Sequence, residues 1–238
     1  MNGAARGLHR QAVEVIGTRI IRGEYEPGGF LHPDQIEQEL GVSKTVVREA
    51  LRVLASKGLI ESRQKRGTFV RPRADWNLLD SDLLRWQALG SPDDSFFDNL
   101  AEVRAIFEPA AARLAAQRRT EGDLEALVEA LERMSAPDSD TTAIVDADLA
   151  FHRALMAATH NELLTRMEVV IEAGLRARDQ IVHGAEHCAD SVPGHRAVLD
   201  AIRAQDAVAA TRAVEGLLSQ AVADLARVLA QSHGGETG

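Results

Sequence analysis

Three side chains stand out for the chemistry they could do together. Asp148 and His152 are four residues apart, so on a helix they share one face, and His195 lies in a later helical stretch. One carboxylate and two imidazoles are donors that a divalent ion such as zinc accepts. By spacing alone, an Asp and a His four apart more often form a simple surface pair. A second group is basic. Ser43, Lys44, Thr45 and Arg48 crowd the start of one helical stretch, and Arg63, Lys65, Arg66 and Gly67 crowd a short turn behind it. Lys and Arg reach phosphates and guanine edges, hydroxyls and helix N-termini suit phosphate oxygens, and a glycine admits close backbone approach. Cys188 is the single cysteine, and it forms no Cys/His constellation of the kind a covalent catalyst needs.

The sequence also supplies the elements that must position these groups. Leu8, Ala12, Val15, Ile16 and Ile20 form a helical stripe over Leu8–Arg22, stopped by Gly23 and Pro27-Gly28-Gly29. Pro33 opens a short helix to Leu40, with Asp34 favourable in its first turn, and Gly41 breaks it. Ser43 is a good N-cap for Lys44–Lys57, whose buried face is Val47, Ala50, Leu51 and Leu54, and Gly58 closes that helix. Two β-type runs follow, 59–62 and 68–71, joined by the basic turn Arg63–Gly67. Helix, short helix, glycine turn, helix and basic hairpin, in that order, spell a winged helix-turn-helix, and double-stranded DNA is its expected partner.

Pro72–Asn77 reads as a linker. Beyond it the pattern is helical almost throughout, over Leu78–Gly90, Ser95–Arg119, Asp123–Met134, Thr142–Thr159, Glu162–His183, Pro193–Ala204 and Ala207–Gln231. Breaks fall at Ser91-Pro92, Gly122, Pro137, His160-Asn161, Gly184 and Gln205-Asp206, and Asn161 suits a helix N-cap. A helical bundle follows. The expected division is a DNA-binding domain over 1–73, a linker over 74–80, and an effector-binding and dimerisation domain over 81–238.

Charge is divided in the same way. Residues 1–73 carry 13 Lys and Arg against 8 Asp and Glu, whereas residues 74–238 carry 14 against 28. The overall charge of −9 therefore hides a basic module carried by an acidic one. Aromatic residues make up 4% of the chain, so its cores must be built of Leu, Ala, Val and Ile. No apolar run is long enough to span a bilayer, the first ten residues lack a signal-type apolar stretch, and one cysteine suits a reducing compartment. A cytoplasmic chain without a membrane partner is expected.

Leu31 to Glu61, followed by Lys65 to Val70, resembles the GntR family of transcription regulators. The resemblance is carried by Gly41-Val42-Ser43, Val47-Arg48-Glu49-Ala50-Leu51, Gly58-Leu59-Ile60 and Arg66-Gly67-Thr68-Phe69-Val70. It implies DNA contacts from Ser43, Lys44, Thr45, Arg48 and the wing at Lys65–Gly67. Lys44 stands where Arg is commoner, and Asp34-Gln35 where an Arg-Glu pair is commoner, so no operator sequence carries over. In the C-terminal part, Glu102–Pro109, Asp148–His152, His160-Asn161 and His195–Ile202 resemble the FCD ligand-binding domain of the FadR subfamily. That domain is an antiparallel helical bundle whose members often hold a metal with one Asp and three His.

Asp148, His152 and His195 fit three of those ligands, but Leu217 stands where the fourth is expected, and leucine cannot ligate. Either three protein ligands hold an ion with positions left for water and effector, or the metal has been lost; retention is the reading taken. Arg104 is the candidate for gripping an effector carboxylate, with a salt bridge to Glu108 as its alternative, and Arg176 is a second candidate. Trp76 to Trp86, with Asp80 and Asp82 between Leu pairs, is similar to the corresponding segment of galactonate-operon repressors, and implies a sugar-acid effector such as an aldonate. Alternatively, the two tryptophans only pack the linker against the bundle.

These readings predict a mainly α chain, a winged helix-turn-helix plus an FCD-type antiparallel bundle. It would act as a homodimeric regulator, a repressor by expectation, that binds a pseudo-palindromic DNA operator and answers to a small organic acid. Two rivals stay open: a regulator for which the ion is itself the signal, and a metal-dependent hydrolase or lyase built on Asp148, His152 and His195. The second lacks a convincing general base beside the ion.

Overall fold

The computed structural model describes residues 3–89, 94–136, 141–182 and 191–234. The expected breaks at Ser91-Pro92, Pro137 and Gly184, together with Cys188, lie outside them. The chain divides into two units, Met1–Pro92 and Asp93–Gly238.

In the first unit, α1 (Gly3–Ile21) lies on α3 (Lys44–Ser56), with α2 (Pro33–Leu40) beside α3. Their shared core holds Ala12, Ile16 and Ile20 of α1 and Val47, Ala50, Leu51 and Leu54 of α3. Val13 takes the buried place expected for Val15. Gly41, at φ 62°, turns the chain between α2 and α3 in the left-handed region that glycine enters without strain. Ser43 then caps α3, its hydroxyl accepting from the Val46 amide at 3.4 Å.

The sheet has three strands rather than the two expected. β2 (Ile60–Arg63) and β3 (Gly67–Val70) form the hairpin, and β1 (Phe30–Leu31) pairs with the other edge of β3, giving the antiparallel order β1-β3-β2. A two-residue strand has no alternation from which to read it. Gly67 belongs to this sheet first. Its φ is 103°, and a Cβ there would lie 2.0 Å from the Phe30 ring.

The segment after the wing departs most from expectation. The helix expected over Leu78–Gly90 forms as α4 (Ser81–Leu89), after a short 3-10 turn over Arg73–Asp75, but it belongs to the first unit and packs on α1 instead of opening the second domain. Trp86 is 1% exposed; its ring lies against Gly17 and its Nε1 donates to Glu14 at 2.7 Å. Lys57, just past α3, binds Asp80 at 2.9 Å and Asp82 at 2.7 Å. Trp76 donates to the Arg71 carbonyl at 2.9 Å. Burial of one large indole and satisfaction of its N–H by Glu14 are what hold α4 to this unit. Trp76 and Trp86 thus serve the DNA-binding unit rather than the bundle.

The second unit consists of α5 (Asp94–Arg118), α6 (Glu121–Met134), α7 (Thr141–Ala157), α8 (Glu162–Arg166), α9 (Glu168–Val182), α10 (Val192–Arg203) and α11 (Ala207–Gly234). α5 touches α7, α9, α10 and α11, its buried Ala111, Ala112, Ala115 and Ala116 allowing close approach. Thr120 and Asp123 form a reciprocal capping box on α6, and Asn161 caps α8 as expected. The single helix expected over Glu162–His183 is broken at Met167. Among the described residues no helix is long and apolar enough to cross a membrane.

A β-carbon at Gly17 would meet Trp86 ring atoms at 2.4 to 2.8 Å. Gly17→Val is therefore expected to destabilise the first unit by about 1–3 kcal/mol. Both tryptophans of the chain lie in that unit. Fluorescence-monitored denaturation should show its midpoint fall, while the helical signal of the second unit in circular dichroism holds.

Candidate nucleic-acid interface and buried donor cluster

On the first unit the exposed end of α3 presents Ser43, Lys44, Thr45 and Arg48, while Val47, Ala50 and Leu51 anchor the opposite face. Lys44 pairs with Asp34 at 2.8 Å, an exposed pair that water screens and that a phosphate can replace. Arg48 is exposed and has no ion pair among the described residues. At the wing tip Lys65 takes φ 59°, and Lys65 and Arg66 are both exposed, also without ion pairs among the described residues. Arg63 differs. It bonds Glu61 at 2.5 Å and stacks 4.9 Å over Phe69, an exposed arrangement within the wing. Of the cations expected from the sequence, Arg48, Lys65 and Arg66 carry no ion pair among the described residues, while Lys44 and Arg63 each hold an exposed one.

Inside the second unit Asp148, His152 and His195 are buried, and one potential ligand atom from each lies within 4.8 Å of the others. Both imidazoles turn Nε2 toward one oxygen, Asp148 Oδ1, at 3.4 Å from His152 and 2.9 Å from His195. Both turn Nδ1 outward to an acceptor. His195 Nδ1 meets the Ser191 carbonyl at 2.8 Å, and His152 Nδ1 faces Glu108 Oε2 at 3.1 Å. Glu108 in turn binds Arg104 at 2.5 Å.

Protonation follows from this crowding. Burial works to raise the Glu108 carboxyl, but Arg104 and His152 beside it hold it at about 2. Burial likewise works to raise Asp148, yet its two imidazoles keep it well below the usual carboxylate range. For His152 burial works downward, and Glu108 and Asp148 overcome it, raising the ring to about 9. The cluster therefore draws positive charge.

A divalent ion fits this donor set. His195 Nδ1 has an outer acceptor in the Ser191 carbonyl, whereas His152 Nδ1 and Glu108 Oε2, 3.1 Å apart, make no hydrogen bond; an Nε2 that turns a lone pair to the carboxylate is relieved by a cation. Donors about 2.1 Å from a common ion stand roughly 3.0–3.4 Å apart; the two distances to Asp148 Oδ1 match this, and the three donor atoms, within 4.8 Å of one another, would draw in slightly around an ion. The space among these groups is about 10 Å³, room for one ion or water. Leu217 lines the cavity where a fourth ligand was sought, its Cδ1 seated where a Gly194 Cβ would come within 2.9 Å.

Of the two arginines proposed for an effector, Arg104 lines this cavity and also makes the salt bridge with Glu108. Arg176 is on the surface, tied to Glu172 at 3.1 Å and Asp146 at 3.4 Å, and does not reach the cavity. Residues missed from the sequence are Glu108 as the outer partner of His152, and Gln220 and Asp224 of α11, which also line the cavity. Their spacing from Leu217, three and seven residues, is a helical signal that could have found them.

This architecture, a winged helix-turn-helix reading head and a helical unit with a buried donor cluster, is that of a ligand-responsive DNA-binding regulator. Comparison with known proteins gives the family. The model for bacterial regulatory proteins of the gntR family matches residues 8–70, and that for the FCD domain matches residues 99–220. The galactonate operon transcriptional repressor of Escherichia coli strain K12 is 35% identical over 219 residues, covering 91% of this chain and 96% of that protein. The HTH-type transcriptional repressor NanR of Cronobacter sakazakii is 30% identical over 228 residues, covering 92% and 86%. Among solved structures, Lar, which controls expression of the Listeria monocytogenes agr system, superposes with a TM-score of 0.68 at 18% identity, covering 92% of this chain and 96% of that one; the likeness is one of fold. The chain belongs to the GntR family, with an FCD domain following its DNA-binding domain. It is a transcription regulator and not an enzyme.

Arg48→Ala is expected to lower the slope of log affinity against log salt for duplex DNA by about 1, the loss of one phosphate contact; Arg63→Ala should change it less. In calorimetric zinc titrations, Asp148→Asn and His195→Ala should abolish binding. Glu108→Gln should weaken it about 10–100-fold by freeing the His152 ring. Leu217→His, by adding a fourth donor, should tighten it.

Proposed function

We propose that the chain is a homodimeric transcriptional repressor whose operator affinity is set by a sugar-acid monocarboxylate, taken up beside a divalent ion held by Asp148, His152 and His195. The observation that carries the effector reading is Arg104, a buried guanidinium in the wall of the cavity that also contains the three donors. The choice of a sugar acid is supported by the relative named for the galactonate operon. When bound, the ion would supply a fixed positive charge toward the effector's oxygens.

DNA recognition falls to the N-terminal end of α3 and the wing tip. Ser43, Lys44, Thr45 and Arg48 are assigned to the major groove and its flanking phosphates, and Lys65, Arg66 and the Gly67 backbone to the neighbouring groove. Arg63 holds the wing in shape and has the weaker claim to a contact. Two heads on a pseudo-palindromic operator require a dimer. Exposed apolar groups support one: Val103 and Ile106 on α5, and Val222 on α11, the last beside a groove lined by Ala101, Ala105 and Pro109.

The tightness of the cavity has a consequence for control. The free space beside the donors is small, so an acid that prefers a form with the wall opened has that preference as the energy available to act on DNA binding. The same tightness favours one second reading, in which the ion is the whole signal. Gel-shift titration on operator DNA separates them. D-galactonate should release the DNA from zinc-loaded protein, with Arg104→Ala blunting the release. Release by zinc or chelator alone, with no response to acids, supports the ion as signal and overturns the acid.

A further inference from the structure

We propose that Asp34 makes Lys44 a reader of bases rather than a clamp on phosphate, so that a carboxylate on α2 sets how sharply the protein tells its operator from other DNA. The inference rests on the assignment of the N-terminal end of α3 to the duplex. Lys44 is the first residue of α3, and no acidic residue occupies the first turn of that helix. A cation there opposes the helix dipole, so Lys44 adds nothing to the stability of α3. Its counter-charge comes from another element: Asp34, in the first turn of α2, accepts from Lys44 Nζ at 2.8 Å. The hydrogen bond between them holds Asp34 below, and Lys44 above, its ordinary value, so both stay charged. Glu37 adds a weaker attraction on the amine, and Arg48 a repulsion. The pair is open to water, with side chains 62% and 77% exposed, and an ion pair of this kind contributes little to folding.

An ammonium has three N–H donors. With one on Asp34, two remain, the number that guanine O6 and N7 accept in the major groove. Those acceptors are neutral, so the ion pair persists while the base is read. A phosphate is anionic and meets like charge beside Asp34. Lys44 can bind it only by leaving the carboxylate, which then faces the DNA backbone uncompensated. One amine is thereby favoured on a base edge and disfavoured on the sugar-phosphate strand. Asp34 itself only accepts, so a cytosine N4 amine serves it and no group of a phosphate does. Arg48, exposed and without an ion pair among the described residues, carries no such restraint.

Gel shifts with the full chain test the assignment, using a duplex that the wild-type protein selects from a random-sequence pool and a scrambled duplex of equal length. Asp34→Asn should bind the scrambled duplex about three- to tenfold more tightly, and its log affinity should fall by about 1 more per decade of salt as Lys44 gains a phosphate. The ratio of selected to scrambled affinity should fall with it, and Asp34→Glu, which keeps the charge, should restore that ratio. Glu37→Gln should leave the ratio within about twofold of wild type. At one guanine of the selected duplex, 7-deazaguanine, which lacks the N7 acceptor, should weaken the wild-type protein at least about fivefold and Lys44→Met not at all. An unaltered ratio and salt slope in Asp34→Asn, with Lys44→Met still weakening binding, overturns the role of Asp34 and leaves the placement of α3 standing. So does insensitivity of the wild-type protein to 7-deazaguanine at every guanine. If Lys44→Met binds both duplexes as the wild type does, the placement falls and the proposal with it. Should Asp34→Asn not fold, Asp34→Ser gives the same comparison.

Discussion

Two imidazoles aimed at one buried carboxylate oxygen is the arrangement on which the second unit depends. Asp148, His152 and His195 come from α7 and α10, and Glu108 and Arg104 from α5. Their polar atoms are removed from water and must satisfy one another. That demand fixes how the three helices meet more sharply than the surrounding Ala and Leu contacts can, because an apolar core tolerates small slips and a buried charged network does not. The price of this arrangement is a local excess of acceptors, which a proton on His152 or a divalent ion relieves. The residues proposed to sense are thus the ones that the fold of this unit also needs.

The first unit solves a different problem, that of holding two cationic projections still. Its apolar core carries α3, and the β1-β3-β2 sheet carries the wing. α4 then closes the unit, with Trp86 over Gly17 and the Lys57 amine between Asp80 and Asp82. Since Lys57 directly follows α3, α4 is fastened to the C-terminal end of the helix whose N-terminal end carries Ser43, Lys44, Thr45 and Arg48. Any torque on α4 meets a fixed attachment to α3 and not a slack tether.

Most of the reading head was legible because its signals are local: Gly41 demands a left-handed turn, Ser43 caps, and Val47, Ala50, Leu51 and Leu54 mark one helix face. The donor trio was legible for a similar reason, the four-residue step from Asp148 to His152, with His195 added as a third donor type from a later helix and the family resemblance strengthening the set. What escaped was set by distant partners. β1 is two residues long and exists because β3 needs a neighbour. The helix carrying Trp86 reads as the start of the second domain until that ring is seen against Gly17. Arg176 looks like Arg104 in sequence, and only the packing of α9 shows its charge spent on Glu172 and Asp146 at the surface.

The third strand has a mechanical meaning. Besides the β1–β3 pairing, the Gly28 amide donates to the Val70 carbonyl at 2.8 Å and the Val70 amide to the Gly29 carbonyl at 2.9 Å. The wing is therefore bonded through main chain to the residues that lead directly into α2 and α3. Its tip and the recognition helix stand at a set separation, like the jaws of a locked calliper. A duplex whose groove spacing differs must deform to be gripped, so base pairs that no side chain touches still contribute to operator choice through their stiffness.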